Sequence, residues 1–252
     1  MMSAASHRSM TQTHSTDSDI DAPRPSRSLL LMTSPAERYA DWQEAQRRQH
    51  DSGLPPATDL VAQFREHYTF PLDQFQVQAC EALSRGDSVL VAAPTGSGKT
   101  VVGEFAVDLA LRVGRKCFYT TPIKALSNQK FRDLVDRHGE QSVGLLTGDN
   151  TINGEAPIVV MTTEVLRNML YAGSATLSDL AYVVMDEVHY LADRFRGAVW
   201  EEVIIHLPDS VTLAALSATV SNAEEFGAWI ETVRGRTEVI VSVHSGQFST
   251  RA

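Results

Sequence analysis

From residue 70 onward, short apolar runs alternate with longer stretches whose apolar positions recur at helical spacing. The runs are 88–92, 116–120, 143–146, 158–161, 182–185, 212–216 and 238–242. Several are unbroken rather than alternating, as in strands covered on both faces. The stretches 74–84, 99–113, 123–137, 163–171, 198–206 and 223–232 read as helices. Strands and helices in alternation predict an α/β fold, a doubly wound and mostly parallel sheet with helices on both faces. No internal repeat is present.

The pattern differs ahead of residue 70. Residues 1–27 are rich in Ser and Thr and contain no aromatic side chain. They cannot bury enough apolar surface to offset the entropy of ordering, so a disordered tail is expected. A helical arm over 28–69 follows. Ser34 at the N-cap, Pro35 at the first helical position and Glu37 two residues on open a helix to residue 49. A Gly/Pro-containing break at 52–56 separates it from a second helix, 59–67.

A length of 252 residues suits one large α/β domain with an accessory arm. Hydrophobic content of 43% and charged content of 21% are ordinary for a globular chain. No apolar run approaches the ~20 residues needed to cross a bilayer. The expectation is a cytoplasmic protein with no membrane contact. Cys80 and Cys117 are the only cysteines and lack metal-ligand spacing, which suits reduced structural thiols. The net charge of −9 argues against a protein held to nucleic acid by bulk electrostatics. One segment runs the other way: Arg112, Arg115, Lys116, Lys124, Lys130 and Arg132 occur with no intervening acid. It is either a local phosphate-binding face or a solvated helix face.

The candidate chemistry starts in Ala93-Pro94-Thr95-Gly96-Ser97-Gly98-Lys99-Thr100, between the 88–92 strand and the next helix. Strand, glycine turn and helix form the context of a phosphate-binding loop. Gly96 and Gly98 let several N–H groups point inward, and the helix adds its positive end. Lys99 suits the β and γ phosphates, and the Thr100 hydroxyl suits Mg²⁺. The first glycine of the G-x-x-x-x-G-K-[S/T] pattern is Ala93 here. Farther on, the 182–185 strand ends in Asp186-Glu187, which puts two carboxylates at a carboxyl edge of the sheet. Asp186 is placed to hold Mg²⁺ opposite Thr100, and Glu187 to orient or deprotonate an attacking water.

Asp186-Glu187-Val188-His189, extended by Tyr190 to Asp193, Arg196-Gly197 and Trp200-Glu201-Glu202, resembles the motif II region of superfamily-2 DExH (DEVH-box) RNA helicases. The branch is the Ski-like and actinobacterial HelY-type family. The similarity covers about 70–230, and the segment from Ser34 also resembles the HelY-type amino-terminal arm. The resemblance implies that 70–243 is the first RecA-like, ATP-binding domain of an ATP-dependent RNA helicase. The stretch from Phe70 to Gln76 resembles the adenine-recognition motif. Phe70 would stack on the base, or else is a packed aromatic ahead of a helix. Gln76 offers the donor and acceptor that fit adenine.

Thr120 to Lys130, with Pro122 and Lys124, is similar to motif Ia, which grips the nucleic-acid backbone. Leu146-Thr147-Gly148-Asp149 resembles the next backbone-contacting loop, and Met161 to Arg167 resembles motif Ib, where Thr162 or Thr163 also suits a plain N-cap. Ser217-Ala218-Thr219 matches motif III, which with His189 would couple the ATP site to RNA and to a second domain. Its hydroxyls also suit an N-cap for the following helix. Arg196 and Trp200 are expected to be structural. ATP and Mg²⁺ are the implied ligands, RNA the implied partner, and RNA-processing or decay machinery a further one.

The family's second RecA-like domain contributes arginines in a Q-x-x-G-R-x-G-R pattern, which does not occur in this sequence. Residues 244–252 depart from the family's continuation and read as a truncated or aberrant end. The expectation is slow or absent ATP hydrolysis and no unwinding by these residues alone. The alternatives are a non-catalytic nucleotide- and RNA-binding fragment, or a DNA-acting P-loop translocase.

Overall fold

The structure is a computed structural model and describes residues 57–188, 197–218 and 222–242. The expected tail, the 34–49 helix, the 244–252 end, His189 and Thr219 lie outside these residues.

The described chain runs α1 (Ala57–Arg65), α2 (Gln74–Ser84), β1 (Ser88–Ala92), α3 (Thr100–Arg112), β2 (Lys116–Thr121), α4 (Lys124–His138), β3 (Val143–Thr147) and β4 (Asn150–Ile152). It continues with β5 (Ile158–Thr162), α5 (Thr163–Ala172), a 3₁₀ turn (Ala175–Asp179), β6 (Leu180–Met185), α6 (Gly197–His206), β7 (Thr212–Ser217), α7 (Ala223–Arg234) and β8 (Thr237–Val241). One eight-stranded sheet has the order β4-β3-β5-β2-β6-β7-β1-β8. All pairs are parallel except β3 with β4.

The continuous apolar runs are explained by two cores, one on each face. Val89 and Val91 join Phe64, Phe105, Leu109 and Leu216 on the face covered by α1 to α4. Leu90 points the other way and joins Phe118, Leu166, Trp200, Val203 and Ile230 under α5 to α7. Trp200 is a buried anchor, as expected. Cys80 and Cys117 are both buried and unbridged, and burial pushes both thiols well above their ordinary range.

Antiparallel β4 is the element the apolar pattern does not predict. Its three residues are all exposed. It forms because a tight turn at Gly148-Asp149 folds the chain back in register, pairing Leu145 with Ile152 and Thr147 with Asn150. Gly144 permits the return, since a Cβ there would meet the Asn153 carbonyl oxygen at 2.1 Å. Elsewhere boundaries shift only slightly: α1 lies two residues ahead of the predicted 59–67.

Candidate active site

Strands β2, β6, β7 and β1 are consecutive neighbours, so the residues past their carboxyl ends share one edge of the sheet. The glycine loop follows β1, Ser217 ends β7, Asp186 and Glu187 follow β6, and Thr121 ends β2. Backbone bonds fasten this edge. The Ala93 N–H donates to the Ser217 carbonyl at 3.1 Å, and the Asp186 N–H to the Thr120 carbonyl at 2.9 Å.

Within the loop, Gly96 and Gly98 adopt φ of 81° and 82°, the left-handed region where glycine carries no Cβ penalty. Ala93 does not have a positive φ, so alanine is tolerated where the pattern has its first glycine. Lys99 is only 8% exposed, and its ammonium donates to the carbonyls of Ala93 at 2.8 Å and Pro94 at 2.9 Å. Burial pulls its pKa down, while the charges of Glu187 and Asp186 push it up. The Ser97 hydroxyl oxygen is buried and finds no hydrogen-bond partner among the described residues. Thr100 begins α3 and remains half-buried. A cation reaching across the loop, an unsatisfied hydroxyl and a helix amino-terminus fit an anionic, phosphate-sized group.

Asp186 is held at both oxygens. Oδ1 accepts the Glu187 N–H and Oδ2 accepts the Tyr119 hydroxyl, each at 2.9 Å. Burial, reinforced by Asp186, raises the Tyr119 pKa well above its ordinary value, so the phenol is a neutral donor. Glu187 has φ of 58°, an uncommon conformation for glutamate of the kind found at functional turns.

The adenine-type stretch splits into two environments. Phe70 is 50% exposed, with its ring 5.2 Å from that of Tyr68. Gln76 is 2% exposed and already hydrogen-bonded at both ends of its amide. Oε1 accepts the Asp73 N–H at 2.8 Å within a capping box, and Nε2 donates to the Gly98 carbonyl at 2.9 Å. Gln76 therefore fastens α2 to the glycine loop.

The other predicted residues gather farther along the same edge. Thr121 Oγ1 lies 2.7 Å from Ser127 Oγ and donates to the Ile123 carbonyl at 3.1 Å, fixing the turn that carries Pro122 and Lys124. Thr163 Oγ1 donates to the Thr121 carbonyl at 3.3 Å, tying α5 to that turn. Thr162 occupies the N-cap of α5 but makes no side-chain capping bond. Lys124 is paired with Asp149, and Thr147 Oγ1 donates to Asp149 at 3.2 Å. The hydrogen bond from Lys124 holds the Asp149 carboxyl below its ordinary range. Gly148 lies exposed between Thr147 and Asp149.

Several members of the basic run are already engaged by other groups. Arg112 pairs with Asp108, Lys116 with Glu155 and Lys130 with Asp133, and Arg115 donates to the Leu180 carbonyl. These acids lie outside the run, so its charge pattern reads differently in sequence and in space.

A model of the DEAD/DEAH box helicase family matches residues 73–226, more than half of the chain. The chain belongs to this family. It is 66% identical over 189 residues to the probable helicase HelY of Mycobacterium leprae, covering 74% of this chain and 20% of that protein. It is 50% identical over 181 residues to the ATP-dependent RNA helicase mtr4 of Schizosaccharomyces pombe, covering 72% of this chain and 15% of that protein. The chain thus spans about a fifth or less of these helicases. A hypothetical ATP-dependent RNA helicase from Sulfolobus tokodaii superposes with a TM-score of 0.57 at 21% identity, over 73% of this chain and 57% of that one. The DUF1998 helicase MrfA bound to DNA and AMPPNP gives a TM-score of 0.60 at 23% identity, over 75% of this chain and 30% of that one. These likenesses show a RecA-like helicase fold.

Against this helicase frame, the residue that sequence reasoning passed over is Tyr119. Tyr119 had a signal, a hydroxyl-bearing residue inside a buried strand two positions before its carboxyl end. Asp149 lies in the loop already singled out in the sequence, but its pairing with Lys124, 25 positions away in the chain, left no signal there. Among the described residues, no helix is long and apolar enough to cross a membrane.

Proposed function

We propose that this chain binds Mg-ATP and serves as the ATP-binding domain of an ATP-dependent RNA helicase. The observation that carries the reading is the buried Lys99 ammonium, set across the glycine loop on the same sheet edge as Asp186 and Glu187. Gly96, Ser97, Gly98 and the residues flanking them, Pro94, Thr95, Lys99 and Thr100, would receive the phosphates. Thr100 and Asp186 offer the oxygen donors that suit Mg²⁺. When bound, Mg²⁺ would neutralise phosphate charge and polarise the terminal phosphoryl group. Glu187 would orient the attacking water and accept its proton, and Lys99 would balance charge on the phosphates.

Phe70 and Gln76 would recognise adenine. Ser217, together with Thr219 and His189, would couple this site to the nucleic-acid face and to a second RecA-like domain. That face would comprise Pro122, Lys124, Thr147, Gly148, Thr162 and Thr163, which suit backbone contacts rather than base reading. RNA is favoured as the polymer because mtr4 is named an RNA helicase. Partners in RNA processing or decay belong to the same proposal.

Turnover tests the reading. With a second RecA-like domain supplied, ATP hydrolysis should be stimulated by single-stranded RNA and lost in Glu187→Gln. RNA-independent turnover that survives Glu187→Gln would contradict it.

A further inference from the structure

Tyr119 lies in β2, two residues before the strand ends at Thr121. It is fully buried, in register with Val160 of β5 and Val184 of β6. Its ring lies against Gly103 of α3, so close that a Cβ there would sit 3.0 Å from Tyr119 Cε2. A hydroxyl in such a core is costly unless it finds an acceptor. It finds one in Asp186, at 2.9 Å.

The geometry does more than satisfy the phenol. One Asp186 oxygen is fixed by its neighbour's N–H and the other by Tyr119, so the two bonds set the orientation of the carboxylate. The Tyr119 ring is fixed in turn. Gly103 lets α3 approach it closely, and the ammonium of Lys130, a largely buried residue of α4, lies 5.2 Å from the ring centroid. The phenol therefore meets the helix that follows the glycine loop, the acidic turn after β6, and the helix that follows the Pro122 turn.

We propose that Tyr119 is a positioning residue for the divalent cation of the nucleotide complex, holding the Asp186 carboxylate in its metal-accepting orientation through the hydroxyl hydrogen bond. The inference rests on the reading of Asp186 as a Mg²⁺ ligand. Groups that orient a ligating carboxylate typically cost about 10- to 100-fold in metal affinity when removed.

The variant is Tyr119→Phe, which keeps the ring and removes only the hydroxyl. Calorimetric titration of ADP into the 252-residue chain, in EDTA and at graded Mg²⁺, gives the affinity with and without the metal. Mn²⁺ titrated into the ADP complex and followed by electron paramagnetic resonance gives metal affinity directly. The expected result is unchanged ADP affinity in EDTA, together with a rise of about tenfold in the Mg²⁺ and Mn²⁺ concentrations needed for half-saturation. An unchanged metal requirement overturns the proposal, as does an equal loss of ADP affinity with and without metal, which marks a purely structural role. If wild-type protein shows no metal-dependent binding, the reading of Asp186 falls first and Tyr119 loses its role with it.

Discussion

The side-chain amide of Gln76 donates to the carbonyl of Gly98 at 2.9 Å, joining the first turn of α2 to the glycine loop. A glutamine amide has two donor hydrogens and two acceptor lone pairs. Gly98 takes one hydrogen and the Asp73 N–H takes one lone pair. The remaining donor and acceptor make the pair that adenine N7 and N6 require. Gln76→Ala should therefore weaken ATP by about tenfold and lower the ratio of ATP to GTP affinity, both read by calorimetry. A loss of affinity at constant ratio would leave Gln76 as a fastening residue only.

The two loop glycines should differ in tolerance. A side chain at Gly96 meets nothing within 4 Å, so its cost is backbone strain alone, about 1–2 kcal/mol. At Gly98 the same strain is joined by a Cβ placed 2.6 Å from Gln76 Nε2. Gly98→Ala should thus lower thermal stability and nucleotide affinity more than Gly96→Ala does. Equal effects in paired melting and binding experiments would show that the Gln76 contact is unimportant.

Asp149 is paired with Lys124, which on the proposed reading would contact a phosphate of a bound strand. Asp149→Asn removes the competing charge while keeping the loop's hydrogen-bonding capacity. Affinity for single-stranded RNA should rise about threefold, and the slope of log affinity against log salt should steepen by up to ~0.7. Weaker binding would mean that the pair orders the loop for RNA instead of blocking it.

Arg234 is a fully buried guanidinium whose pKa burial lowers to about 10, opposed by Asp209. It donates to the carbonyls of Leu207 at 2.6 Å, and of Pro208 and Val211 at 2.8 Å, closing the end of α6 onto the start of β7. Arg234→Met would leave the carbonyls of Leu207 and Val211 short of this donor, at about 1 kcal/mol each, while that of Pro208 keeps the Val211 N–H. The melting temperature should fall by about 4–8 °C. Asp209→Asn should change it little, because that carboxylate is half-exposed and 3.8 Å away.

The sheet was legible because covered strands write unbroken apolar runs, as at 88–92 and 182–185. The glycine loop and Asp186-Glu187 were legible because their chemistry lies in contiguous residues. Contacts between distant positions were not. Tyr119 and Asp186 are 67 residues apart, and only the alignment of β2 beside β6 brings them together. Gln76 was recognised for its amide, yet its bond to Gly98 depends on where α2 ends up against the loop. Short β4 left no signal, since exposed polar residues pair there through turn geometry rather than burial.

The most direct test of the central claim is calorimetric titration of Mg-ATP into the wild-type chain and into Lys99→Ala, with circular dichroism to confirm that both are folded. Removing Lys99 takes away the ammonium that donates to the Ala93 and Pro94 carbonyls. Saturable one-to-one binding by the wild type, weakened by at least ~100-fold in Lys99→Ala, is the predicted result. Equal affinity in the two folded proteins would contradict the assignment of this loop as the nucleotide site.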